Sequence, residues 1–452
     1  MTRNKDGFSF TRTQLQEIAQ EVLDYARHRG ATACETDVSE GLGHSVSVRR
    51  GEVETIEYNR DKGLGVSVYI GQRRGHASSS DFSRAAVRAA VDAALAIAAF
   101  TAEDDCAGLA DENLLWHGPE SFVRDLDLFH PWNLSVEGAV ELAKRCEAAA
   151  FAVSPQIRNS EGAGVSRQES HFVAANSLGF MDGFSTSRHA LYCSVIAGEG
   201  EDMQRDGWDS SRRNAAKLAD PEAIGDYAAR RALSRLNARR VPTCSVPVIF
   251  EAPLASSLIG NFVQAASGGS LYRKSSFLLD SLGKQVFGAH INLREDPHVA
   301  GAQASTPYDD EGVATAPRDV IKGGVLQGYF LGSYSARKLG MQTTGNAGGS
   351  HNLILAPGSK TLDEMIAGVS RGLLVTELLG QGVNYVTGDY SRGAAGFWIE
   401  NGQIQYPVHE ITIAGNLRDM FRNIAVLGND VMVRGARSVP SLLVEGMTIA
   451  GE

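Results

Sequence analysis

Apolar residues recur at Leu15, Ile18, Val22 and Ala26, the spacing of one face of a helix. Thr13 and Gln16 predict a capping box at its start, and Gly30 marks its end. From residue 44 the period changes to two: HSVSVRRGEVETIEYNRDKGLGVSVYIGQRRGHAS alternates apolar and polar positions, with turn residues at Arg50 and Gly51 and again at 61–63. That pattern predicts an antiparallel meander. An Ala-rich helix follows from Ala85, with Ser80 or Asp81 as its cap. A further helix is expected near Ser135 and strands across 158–194. DPEAIGDYAARRALSRL then opens a helix with Asp220 as N-cap and Pro221 in the first turn.

The texture changes at ARRVPTCSVPVIFEA, where two prolines lead into a strand, and a domain boundary is placed near residue 240. Beyond it the pattern predicts a helix over 254–266, a Gly/Ser turn, many strands with Gly-rich turns, and a helix capped by Thr361 with Glu364. The fold class is therefore α+β. Residues 1–240 form a mixed region of antiparallel sheet and flanking helices, divisible near 110–130; residues 241–452 form a β-rich domain with few helices.

Composition narrows the function. A formal net charge of −10 lacks the clustered cations that nonspecific nucleic-acid binding needs. The basic run ARRALSRLNARR carries Leu233 and Leu236 at helical spacing and reads as a solvated helix face. No uncharged apolar stretch is long enough to span a bilayer, and the N-terminus has no signal-peptide core. The five Cys never form CxxC, which fits reduced thiols and a cytoplasmic location.

Several motifs fail on spacing. His409 and Glu410 evoke a zinc helix, but Ile413 and Ala414 stand where the second His is needed. The surrounding alternation is that of a strand, which turns neighbouring side chains to opposite faces. GGSLYRKSS has Arg273 where a phosphate loop needs Gly, and it follows a helix, so Gly268 is read as that helix's C-cap. The SxxK pairs Ser281/Lys284 and Ser335/Lys338 lack the accessory SDN and KTG elements. HINLREDPH (290–298) matches no zinc spacing and reads as a polar surface loop. PYDDEG, with Asp309, Asp310 and Glu311, is foremost a solvated acidic turn, with a cleft-facing role as the alternative. TTGNAGGSHN offers Thr344, Asn346, His351 and Asn352 on a backbone loosened by Gly345, Gly348 and Gly349; a ligand loop and a long Gly turn fit it equally.

Taken together, DDEG, the TTGN loop, GDYSRGAAGFWIENGQIQYPVHEITIAGNL and SLLVEGMTIAG resemble the TldD/PmbA family of zinc metalloproteases, within it the PmbA (TldE) branch. The resemblance runs from the first helix to the last residue. It implies a cytoplasmic assembly in which a TldD-type subunit, carrying HExxxH and a further Cys, binds zinc and pairs with a PmbA-type subunit around a cavity for unfolded peptides. The stretch matching the zinc helix here is NFVQAASGGSLYR, with Gln264, Ala265, Gly268 and Gly269 in place of ligands and base. No zinc is therefore expected in this chain, which is read as the non-catalytic half, able to form a homodimer in isolation. Asp309, Asp310, Glu311, Thr344, Gly345 and Asn346 match segments shared by both branches and, with His351, are the expected cavity residues. The family's description as a modulator of DNA gyrase gives the alternative of a regulatory protein acting by protein contact. A homodimeric hydrolase using Ser or Cys is the third reading.

Overall fold

The computed structural model describes residues 7–451, and the chain falls into two compact units. Arg205–Leu233 and Pro307–Ala314 join the chain up to Gly198 in the first; Glu199–Gln204, Ser234–Thr306 and Thr315–Glu452 make the second. The class is α+β, with 27% helix and 39% strand.

In the first unit α1 (Arg12–His28) buries Leu15, Ala19, Val22 and Ala26. Its capping box is Thr11 with Gln14, one pair earlier than Thr13 with Gln16, which places Leu15 in the first turn where it is fully buried. Strands β1 (Ala33–Arg49) and β2 (Glu52–Ile70) form a long hairpin closed by Arg50 and Gly51, both left-handed at φ 53° and 77°. The turn predicted at 61–63 is absent. Asp61, Lys62 and Gly63 continue the ladder opposite Gly41, Glu40 and Ser39, because the period-two alternation runs on in both strands. The chain turns only at Gly71, before β3 (Arg73–Ser79). Helix α2 (Arg84–Phe100) is capped by Ser83, while Asp81 accepts hydrogen bonds from the Ser83 N–H and hydroxyl.

Helix α3 (Val136–Val153) starts at its Ser135 cap as predicted. Strands β4 (Ile157–Asn176), β5 (Ser185–Ala197) and β6 (Gln204–Arg212) complete a sheet of order β3-β2-β1-β4-β5-β6, and α4 (Pro221–Ser234) follows. Val38, Val66, Val68 and Val173 on the sheet pack with Leu15, Val22, Val87 and Val91 of α1 and α2.

The second unit contains β7 (Cys244–Phe250), α5 (Ala252–Ala265), α6 (Gly268–Tyr272), β8 (Leu293–Glu295), β9 (Arg318–Lys322) and β10 (Leu353–Leu355). They are followed by α7 (Leu362–Ala367), β11 (Arg371–Leu379), β12 (Asp389–Glu400), β13 (Gln403–Asn416) and β14 (Leu442–Ala450). Strands β13-β12-β11-β7-β14 lie side by side, and pairing of Thr412, Ile413 and Ala414 with β14 closes the ring into a barrel. Such closure removes exposed edges. A second sheet is built around β9-β8-β10. Phe262 of α5 meets Phe287 at 5.2 Å and Phe421 at 6.1 Å, the aromatic centre of the larger core.

His409 and Glu410 lie on β13, as the alternation required, at a bulge where Val408 pairs with Gly396 and Ile411 with Ala394. Glu410 takes φ 49° and pairs with Arg240.

Candidate functional site

The sequence placed 307–314 in the C-terminal domain, but the segment packs in the first unit. Tyr308 and Val313 are buried with Leu115 and Phe180, and Val313 forms an antiparallel bridge to Leu115. The acidic turn is built inward. Asp309 is 4% exposed, and its carboxylate accepts from the N–H groups of Glu311 and Val313 at 3.0 Å each. Gly312, at φ +80°, lies so near the Phe180 ring that a Cβ would come within 2.8 Å. Asp310 stays exposed, and Glu311 is half-buried. Burial raises the Glu35 carboxyl, and the like charge of Glu311 adds to the rise, although Arg74 and the Tyr69 hydroxyl oppose it. Asp309 is thus a structural residue of the turn.

The glycine loop lies in the second unit, where Glu295 is its anchor. At 1% exposure this carboxylate accepts from Arg318 Nε at 2.7 Å, Asn346 Nδ2 at 2.8 Å and the His351 N–H at 2.7 Å. Arg318 also donates to Asn346 Oδ1 at 3.1 Å, and its guanidinium lies 5.2 Å from the centre of the Phe330 ring. His351 Nε2–H donates to the Gly345 carbonyl at 2.7 Å. The Thr344 hydroxyl accepts from the Leu331 N–H and lies 2.7 Å from Asn346 Oδ1. The side chains of Thr344, Asn346 and His351 therefore fix the shape of the loop. The exposed part is the tip at Gly348 and Gly349, whose main chain has no side chain in the way.

The segment 330–331, which holds Thr344, also ties the loop to the end of α5. Phe330 exchanges hydrogen bonds with Ala266 and Gly268 across a short parallel bridge at Ser267. Hence Gln264, Ala265, Gly268 and Gly269 come together with the 344–351 loop in one region, as no local sequence rule required. Gly268 is not a C-cap. The helix stops at Ala265 with Ala266 as its cap, and Gly268 begins α6, with Ser267 as N-cap. The Ser270 hydroxyl is 2.8 Å from the Gln264 carbonyl and fills the break.

These residues do not fit a metal. Ala265 is fully buried, and a Cβ on Gly268 would lie 2.2 Å from the Ser335 hydroxyl. The helical break also ends the regular face that a ligand pair on one helix requires. Among the described residues no three His, Cys, Asp or Glu side chains are gathered as a ligand set.

Glu295 and Arg318 were missed by the sequence reading, and HINLREDPH is not simply a surface loop. Ile291, Leu293 and Glu295 alternate, and all three face inward on or beside β8. That alternation was the available signal. His298 of the same stretch contacts Thr315 Oγ1 at 3.1 Å. The SxxK hydroxyls serve local structure: Ser281 donates to Leu279 O and Ser335 to Gly332 O.

Three family models match the chain consecutively: the PmbA/TldA metallopeptidase domain 1 over residues 34–98, the central domain over 129–236 and the C-terminal domain over 243–451. The architecture is that of a metallopeptidase family. Metalloprotease PmbA of Escherichia coli O157:H7 is 48% identical over 97% of this chain and 96% of its own length. The Metalloprotease PmbA homolog of Haemophilus influenzae is 45% identical over 99% of both chains. A crystal structure from Bacteroides thetaiotaomicron, described as a candidate modulator of DNA gyrase, superposes with a TM-score of 0.92 at 28% identity, over 98% of this chain and 100% of that one. The chain belongs to the TldD/PmbA family, on its PmbA (TldE) branch.

Proposed function

We propose that this chain is the non-catalytic subunit of a two-subunit cytoplasmic metalloprotease that cleaves or matures unfolded peptides. Zinc and the general base come from a TldD-type partner, and this chain supplies part of the wall of the peptide cavity. One observation carries the reading: where the resemblance locates the zinc helix, α5 breaks after Ala265 and Gly268 leaves no room for a ligand side chain. No step through the metal is assigned to this chain.

The rigid support of the glycine loop agrees with a wall rather than a reaction centre. Thr344, Asn346 and His351 are committed to internal hydrogen bonds, so a peptide would meet main chain at the tip. Main-chain recognition is blind to sequence, which suits substrates defined by being unfolded. None of the described helices is long and apolar enough to cross a membrane.

The test is co-expression with a TldD-type zinc subunit, followed by measurement of the metal content of each purified subunit and cleavage of a disordered peptide. The expected result is zinc in the partner alone and cleavage only by the pair. Stoichiometric zinc in this chain, with chelator-sensitive cleavage by it alone, overturns the assignment.

A further inference from the structure

Strand β2 is far longer than its outer neighbour. β3 pairs only with Leu64–Ile70, so 52–63 has β1 on one side and no strand on the other among the described residues. Twelve residues at a strand's rise leave an open edge of roughly 40 Å. Natural sheets shield such edges with bulges and charges. Here the single bulge, opposite Ser47 and Val48, leaves Val53, Ile56 and Tyr58 exposed at 42%, 45% and 73%.

The register sorts the side chains into two faces. Val53, Ile56 and Tyr58 stand opposite Val48, Val46 and His44, all buried, so they share that face of the sheet. Arg60 and Lys62 follow on the same face but turn to the chain itself: Arg60 donates to the Ser9 hydroxyl, and Lys62 lies over the Phe10 and Phe82 rings. Glu57 and Asp61 stand opposite Ser45 and Gly41 on the other face. Glu52 is opposite Arg49 there, and Glu54 approaches the Arg49 guanidinium at 3.9 Å. Over 53–58 one face of the open edge is thus apolar, and over 52–61 the other carries four carboxylates.

We propose that this edge is a docking site for an extended segment of another polypeptide in which basic and apolar side chains alternate. Added as an antiparallel strand, such a segment sets its cations beside Glu52, Glu54, Glu57 and Asp61 and its apolar groups beside Val53, Ile56 and Tyr58, while its main chain completes the ladder. A second copy is a poor occupant. Antiparallel pairing of β2 with itself keeps like face on like face and gathers the carboxylates of both chains on one side. The site is independent of the proposed protease role.

The test uses the full chain and a fluorescent peptide of about ten residues alternating Lys and Val, with two controls: Glu in place of Lys, and N-methylation along one edge. Anisotropy gives affinity, and hydrogen exchange gives location. The Lys peptide is expected to bind and protect amides within 52–63; the Glu peptide binds at least about tenfold more weakly, and the N-methylated one loses binding. Exposed Glu52→Lys, Glu57→Lys and Asp61→Lys together leave only Glu54 negative on that face and should reverse the preference between the Lys and Glu peptides, an outcome that misfolding cannot produce. Equal affinity for the two peptides, protection elsewhere, or indifference to the charge reversal overturns the proposal. A concentration-dependent dimer protected at 52–63 also overturns it, by assigning the edge to a second copy. Neither metal content nor cleavage enters these readouts, so failure here leaves the subunit assignment standing.

Discussion

Replacing Glu295 by Ala should loosen the glycine loop and destabilise the second unit. The carboxylate is 1% exposed and accepts three short hydrogen bonds, one from a guanidinium whose side chain is 19% exposed. Hydrogen bonds to a charged group contribute roughly 1.5–3 kcal/mol each, and removing one partner of a buried ion pair costs roughly 3–5 kcal/mol. These figures overlap rather than add. Asn346 keeps its bond to the Gly349 carbonyl, and Arg318 keeps Asn346 Oδ1 and the Phe330 ring, which lowers the sum. We expect a loss of about 4 kcal/mol, equivalent to a fall in Tm of about 8–16 °C for a unit of this size. Calorimetry reads the stability, and hydrogen exchange at the His351 amide reads the loop. Glu295→Gln, which keeps the shape and one acceptor, should cost about half as much. Joint replacement of Glu295 and Arg318 by Met should recover part of the loss, because no buried charge is left alone. Glu295→Ala within about 1 kcal/mol of the natural chain, with His351 still protected, would refute the account.

Further outcomes follow from the first unit. Gly225 of α4 lies against α3, where a Cβ would come 1.9 Å from the Cys146 carbonyl; Gly225→Ala should force the helices apart and cost about 1–3 kcal/mol in urea unfolding. Burial holds the His44 and His189 imidazoles below the ordinary His value, with Arg167 adding to the effect and Glu169 opposing it. The unfolded chain takes up these protons near pH 6.5 and the folded chain only at lower pH, so stability is full above about 6.5 and falls as pH drops through that window. Burial alone would raise Glu40, but the Ser9 and Phe10 N–H groups outweigh it and hold the carboxyl low, so a separate loss begins only below about pH 4.5. His44→Gln should lessen the first decline in urea midpoints, leaving the share that His189 carries, and leave the second.

What could be read from the sequence divides along physical lines. Helix starts rest on a few adjacent residues, and Ser135, Pro221 and Thr361 were legible for that reason. Thr13 and Ser80 or Asp81 were near misses, because several candidate caps stood within one turn of Thr11 and Ser83. The turn expected at 61–63 failed because turn residues and strand alternation overlapped there, and pairing with β1 decided for the strand. The site was harder. Glu295 sits beside Asp296 in a charged stretch, and only its pairing with Arg318 and Asn346, 23 and 51 residues away, explains its burial. Likewise no local pattern shows that 307–314 packs among Phe180 and Leu115.

The fold holds with no metal-ligating side chains at 264–269, and the reason is structural. The glycine loop hangs from Glu295 on β8, Arg318 on β9 and the main chain of Leu331, none of which is a side chain of α5. Helix α5 contributes to stability through Leu258, Ile259 and Phe262, which face the core, whereas Gln264 lies at its end and bonds to Ser270. Of the positions matched to ligands and base, Gln264 points away from this core, Ala265 lies within it, and Gly268 and Gly269 belong to α6. On the reading proposed above, a chain can lack ligands at these positions and keep the packing of Leu258, Ile259 and Phe262, so that the scaffold serves as a wall. Restoring His and Glu side chains at 264–269 would not suffice to rebuild a site. The break after Ala265 would have to be closed, and the contact of Gly268 with Ser335 opened, before two ligands could share a face.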